Sequence, residues 1–109
     1  MITVTGSLAF DFIMDYPGVF SDHIMPDKIH TLNLSFLVKT LNKQKGGTAG
    51  NIAYNLALLG TQVSIVGAAG HDFQEYKKFL EDAGVDTSNI VSVEDSTSSA
   101  FIMTDMKDN

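Results

Sequence analysis

The chain has 109 residues and a mass of 11.8 kDa, one domain's worth of core rather than two, and its 44% apolar content excludes a disordered or low-complexity segment. Seven basic against 13 acidic side chains leave a formal charge of -6, which argues against nucleic acid or an anionic membrane as a partner, since both select basic surfaces. With no cysteine there is no disulfide, thiolate metal site or cysteine nucleophile, which suits a reducing cytoplasm; no apolar run is long enough to span a membrane, and the start lacks the basic stretch of a signal peptide.

β-branched and aromatic residues in ITVTGSLAFDFIMDY predict a buried strand that starts at Ile2 and turns near Gly6 and Ser7. A loop marked by Pro17, Gly18 and Pro26 follows. From Lys28 to Lys45 the pattern has period two. Ile29, Leu32, Leu34, Phe36, Val38 and Leu41 interleave with polar residues, predicting two strands with one wet face that want a lid or a partner. In GGTAGNIAYNLALLG, residues 46–60, the helical spacing of Ile52, Ala53, Leu56, Ala57 and Leu59 predicts a helix, with Thr48 as its N-cap and Gly60 as its C′ stop. QVSIVGAAG (62–70) predicts a short buried strand. Asp72 and Glu75 make a capping-box-like start for a second helix, whose stripe is Phe73, Tyr76, Phe79, Leu80 and Ala83 and whose end is Gly84. VDTSNIVSVED and SSAFIMTDM each supply a further strand. This alternation belongs to the α/β class, a βαβ sheet with parallel pairs and no internal repeat.

The sharpest local feature is Gly46-Gly47-Thr48-Ala49-Gly50-Asn51 at a helix entry. Glycines admit a ligand to the backbone, and first-turn N–H groups with the helix dipole favour anions or hydroxyl-bearing molecules. The same residues also suit a tight strand-to-helix turn with no ligand, and both readings stay open. The run is not the dinucleotide fingerprint, because Lys45 stands where its first glycine would be, and no G-K-S or G-K-T closes it as in a P-loop. Asp11 is a single carboxylate between Leu8-Ala9-Phe10 and Phe12-Ile13-Met14; it must be solvated, paired or bound, or else be a strand-end residue. His23, His30 and His71 share no metal-ligand spacing, and the five methionines read as gap-filling core. Lys39, Lys43 and Lys45 read as a solvated strand face that flanks the glycine turn.

In combination, GSLAFDFIMD, the alternating segment 28–45, GGTAGNIAYNLALLGTQVSIVGAAGHD and FLEDAGVDTSNI resemble the first part of the ribokinase-like carbohydrate kinases of the phosphofructokinase-B type, with a nucleoside- or adenosine-kinase-like branch closest over Ser21–Gly60. The resemblance covers essentially residues 1–109. It implies the N-terminal part of a ribokinase-like αβα sandwich with a small β-sheet lid, whose strands fall at about 15–20 and 28–45; the expected partner is a second subunit paired through the lid strands as a homo-oligomer, or the C-terminal ATP-binding half that these residues lack. It implies transfer of the γ-phosphate of ATP, with Mg2+, to a hydroxyl of a small-molecule sugar or nucleoside. Carried over by position, Asp11 accepts hydrogen bonds from substrate hydroxyls and Ser7 takes the place of a polar residue, often Asn, in the same pocket. Gly46 and Gly47 form the diglycine over which the sugar passes, Asn51 reaches its hydroxyls, and Phe36 covers the ligand from the lid. The family's catalytic base and G-A-G-D-like anion hole have no counterpart in these 109 residues, so no catalytic residue is expected here, and the chain alone is expected to be inactive. The other readings are a non-catalytic sugar- or nucleoside-binding or oligomerisation module, and a nucleotide-binding fragment that uses the glycine-rich helix N-terminus for phosphate.

Overall fold

Strand β1, Ile2–Thr5, is short because Gly6 follows it directly, and it pairs in parallel with a later strand, Val63–Ala69. The structure is a computed structural model that describes residues 1–20, 37 and 40–107. In chain order the described elements after β1 are β2 (Ala9–Asp15), β3 (Thr40–Gly46), α1 (Thr48–Leu58), β4 (Val63–Ala69), α2 (Gln74–Asp82), β5 (Val85–Asp86), β6 (Ile90–Ser92) and β7 (Ser98–Thr104). They divide into two units, one of residues 1–10 and 45–100 and one of residues 11–44 and 101–109.

The first unit is the expected βαβ arrangement. β1 and β5 flank β4 in parallel, and β6 pairs with the far half of β4, setting Gly67 beside Ile90 and Ala69 beside Ser92. In the β1–β4 register Val4 lies next to Ile65, and Thr3 next to Ser64, where the two hydroxyls meet at 3.2 Å. The core is Leu8, Val63, Ile65, Phe73, Tyr76, Leu80 and Val85, with Ala49 and Ala53 of α1 fully covered. Small residues on that face let α1 lie close to the sheet. Its end is a Schellman motif: Gly60 N–H donates to Ala57 C=O, Thr61 N–H donates to Leu56 C=O, and Gly60 takes φ +85°.

Beyond β4 the chain turns at Gly70, where segment 95–97 crosses so closely that a Cβ would run into the Asp95 carbonyl and Thr97 nitrogen. Buried Thr97 braces the crossing. Its hydroxyl accepts from Gly70 N–H at 2.9 Å, and its own N–H donates to Asp72 Oδ1 at 2.8 Å. The Thr97 hydroxyl and backbone N–H hold the Asp72 carboxyl below the usual carboxylate range. A depressed folded-state pKa stabilises at neutral pH, and that contribution is lost as the pH falls below about 4. Thr97→Val leaves the Gly70 N–H unsatisfied, so urea denaturation of the full-length protein should show a loss of about 1–3 kcal/mol, while a loss within error would remove the brace.

Among the described residues the second unit holds three strands of one sheet, in the order β3-β2-β7. Phe12 stacks on Phe101 at 4.9 Å, and the Lys43 ammonium lies 5.9 Å from the Phe12 ring centre. Asp15 accepts hydroxyl hydrogen bonds from Thr40 and Thr104, and buried Asp105 accepts from the N–H groups of Phe20 and Lys107.

Several expectations shift. Residues 98–104 do not extend the parallel sheet but lie beside β2. The strand expected over 15–20 is only the end of β2, since the Pro17-Gly18 turn follows Asp15. Of the segment 28–45, β3 covers the part from Thr40; Phe36, His23, His30 and Lys39 lie outside the described residues. β1 and the second half of β4 are less covered than expected, with Ile2 and Val66 exposed. On α1 the buried stripe runs through Ala49, Gly50 and Ala53, which leaves Ile52 and Leu59 in the open.

Candidate functional site

The turn from β3 into α1 is built around Gly47, the residue before the first helical turn, whose φ of +89° only glycine adopts without strain. A Cβ there would run into the Ser7 carbonyl and come within 2.8 Å of Leu8 Cα. Gly47 is thus demanded by chain packing whether or not a ligand follows. Thr48 is the first helical residue and not the cap that its hydroxyl suggested, and α1 has no side-chain cap of its own.

The cap comes from elsewhere in the chain. Ser7 Oγ accepts from Thr48 N–H at 3.0 Å, and the Ser7 carbonyl accepts from Ala49 N–H at 3.0 Å. The Ser7 and Thr48 hydroxyls stand 3.4 Å apart. Two of the donors that a helix leaves open at its start are therefore spent inside the protein. What remains at this entrance suits hydroxyls better than phosphate, because the donor set that an anion needs is already reduced.

Gly46 is buried, and its carbonyl accepts from the Tyr76 hydroxyl of α2 at 2.7 Å. Asn51, on the first turn of α1, is exposed and forms the helix bond from its N–H to Gly47 C=O at 3.2 Å. Lys45, at the end of β3, lies 4.8 Å from the Phe79 ring centre, so its charge rests on an aromatic face instead of a phosphate-binding loop. Ser7, Gly46, Gly47 and Asn51 come together in the first unit. Asp11 belongs to the second unit, half-buried on β2 and, by strand alternation, on the face opposite Phe12.

Sequence reasoning missed two contributors. Tyr76 counted only as part of an apolar stripe, although a buried tyrosine needs a partner for its hydroxyl, which was the available signal. The capping role of Ser7 had none, since 40 residues separate it from Gly47 in the chain. Two cavities contain none of these residues. One of about 130 Å³ is lined by Ala69, Gly70, Phe73, Gln74, Ile90 and Ser92 among others, and is too small for a nucleoside. The other, of about 290 Å³, is walled by Asp15, Tyr16, Pro17, Asp105 and Met106, whose carboxylates are already engaged. Among the described residues no three His, Asp or Glu side chains gather as metal ligands. No described helix is long and apolar enough to cross a membrane.

The family model for pfkB family carbohydrate kinases matches residues 1–109. A nucleoside kinase of Methanothermobacter thermautotrophicus is 35% identical over 111 residues, which is 99% of this chain and 33% of that protein; a nucleoside kinase of Methanocaldococcus jannaschii is 30% identical with the same coverage. The chain spans about a third of the length of these curated relatives. Among solved structures, the nucleoside kinase of Burkholderia thailandensis in complex with inosine matches all of this chain and 34% of its own, with 37% identity and a TM-score of 0.79. The ribokinase of Cryptococcus neoformans in complex with ADP covers 99% of this chain and 31% of its own at 29% identity and a TM-score of 0.81.

Proposed function

The chain belongs to the pfkB family of carbohydrate kinases, and on that footing we propose that residues 1–109 are the substrate-binding part of an ATP-dependent kinase that phosphorylates a nucleoside, with free sugars as the wider class. The observation that carries this is the helix entrance. A bare glycine backbone is held between Ser7 and Tyr76, an exposed carboxamide stands one helical turn away, and the first helical donors are already satisfied. Such a surface binds an uncharged ring bearing hydroxyls, which describes a ribose better than a phosphate. The relatives support the nucleoside branch: two at 30% identity or above are nucleoside kinases, and a third was solved with inosine.

In this reading Gly46 and Gly47 form the floor under the sugar, Asn51 hydrogen-bonds its hydroxyls, and Asp11 accepts from one of them. Phosphoryl transfer asks little covalent chemistry of a protein and much positioning, so fixing the acceptor hydroxyl is the share of the reaction that these residues supply. ATP brings the γ-phosphoryl group, and Mg2+ neutralises its charge when bound. The groups that hold both belong to parts of the kinase beyond these residues, and residues 1–109 alone should not turn over. In the lid, the exposed residues 40–45 of β3, which ends the sheet order among the described residues, suit contact with a second subunit. A cytoplasmic location, where ATP is available, completes the reading.

The full-length protein should transfer phosphate from ATP to inosine or adenosine with a kcat/KM at least about tenfold above ribose and fructose, as a coupled ADP-release assay reads it. Equal use of free ribose would move the assignment to sugars. No transfer to any of the four would end it.

A further inference from the structure

Tyr76 is 1% exposed, enclosed by the rings of Phe73 at 4.7 Å, Phe10 at 5.8 Å and Phe79 at 6.5 Å. Packing explains an aromatic ring in such a place but not a hydroxyl. The hydroxyl donates to Gly46 C=O and also fills the volume in which a Gly50 side chain would lie. One oxygen atom of α2 thus touches the residue before the turn and the first turn of α1. Because a peptide is planar and trans, holding the Gly46 carbonyl toward Tyr76 also fixes the Gly47 N–H in the opposite direction. Ser7 restrains the same turn from the other side through Thr48 and Ala49.

We infer that Tyr76 is a positioning residue for substrate binding, which sets the Gly46–Gly47 peptide on which the sugar rests. This deepens the nucleoside-site reading and rests on it. In the full-length kinase, Tyr76→Phe keeps the ring packing and deletes only the donor, so KM for inosine should rise about 5–10-fold while KM for ATP stays within about twofold. A merely structural tyrosine would lower the active fraction, and with it kcat, and leave both KM values in place.

Gly50→Ala offers a second route to the same hydroxyl, because its added methyl group displaces it; Tyr76 Cζ, 2.8 Å from that methyl position, must also yield. This variant should melt lower and show the same rise in inosine KM. The double variant Gly50→Ala/Tyr76→Phe frees part of the space and should regain part of the melting temperature while its inosine KM stays high. If inosine KM is unchanged in Tyr76→Phe, or recovers with melting temperature in the double variant, the positioning role is overturned. Asn51→Ala in parallel separates the two levels. If it raises inosine KM and Tyr76→Phe does not, only the positioning role falls; if neither moves it, the substrate site falls as well.

Discussion

Gly47→Ala should destabilise the full-length protein by about 3 kcal/mol or more and raise inosine KM beyond easy measurement, whereas Gly60→Ala should cost about 1–2 kcal/mol and leave the kinetics alone. The two glycines share a positive φ, +89° and +85°, although Gly47 combines it with a ψ of 146°, outside the left-handed helical well. They differ in what surrounds them. At Gly60 an added Cβ meets nothing within 4 Å, so only left-handed strain is paid; at Gly47 it meets the Ser7 carbonyl and Leu8 Cα, and the turn must move to accept it. Movement there would also break the hydrogen bonds from Thr48 and Ala49 to Ser7, which carries the damage into the first turn of α1. Urea denaturation and steady-state kinetics on the two variants read both parts. Equal destabilisation would mean that the contact with Ser7 is not a constraint.

Asp11→Asn should lower kcat/KM for the nucleoside about 10–100-fold, the effect of replacing a charged hydrogen-bond acceptor with a neutral one, with ATP KM and melting temperature nearly unchanged. Asp11 is half-buried on β2 between side chains that carry the packing, Phe10 and Phe12, so the isosteric amide does not disturb the strand. Kinetics equal to wild type would remove Asp11 from substrate binding and leave it a solvated strand residue.

Much of the first unit was legible because its sequence satisfies several local rules at once. The β-branched run at Ile2, the helical spacing after Gly47, the stop at Gly60 and the Tyr76–Leu80 stripe each correspond to an element in the structure. Local rules failed where a partner distant in sequence took over a role. Thr48 had the chemistry of an N-cap, but Ser7 reached the donors first. Asp72 likewise had capping chemistry, yet its carboxylate turned to Thr97 and left the α2 N-terminus without a side-chain cap. The sheet to which 98–104 belongs could not be read from those residues, because an alternating strand pairs equally well with β2 or with a parallel core. Of the candidate site, the glycine turn and Asn51 were visible as a pattern. Tyr76, which holds that turn, was hidden by having the periodicity of a core residue.

The most direct measurement is a crystal structure of the full-length protein with inosine. The ribose should lie over Gly46–Gly47 with at least one hydroxyl within about 3.2 Å of the Asn51 carboxamide, and the Tyr76 hydroxyl should still donate to the Gly46 carbonyl. Inosine bound away from this turn, or at the turn with Asn51 directed elsewhere, would contradict the assignment of the helix entrance as the nucleoside site.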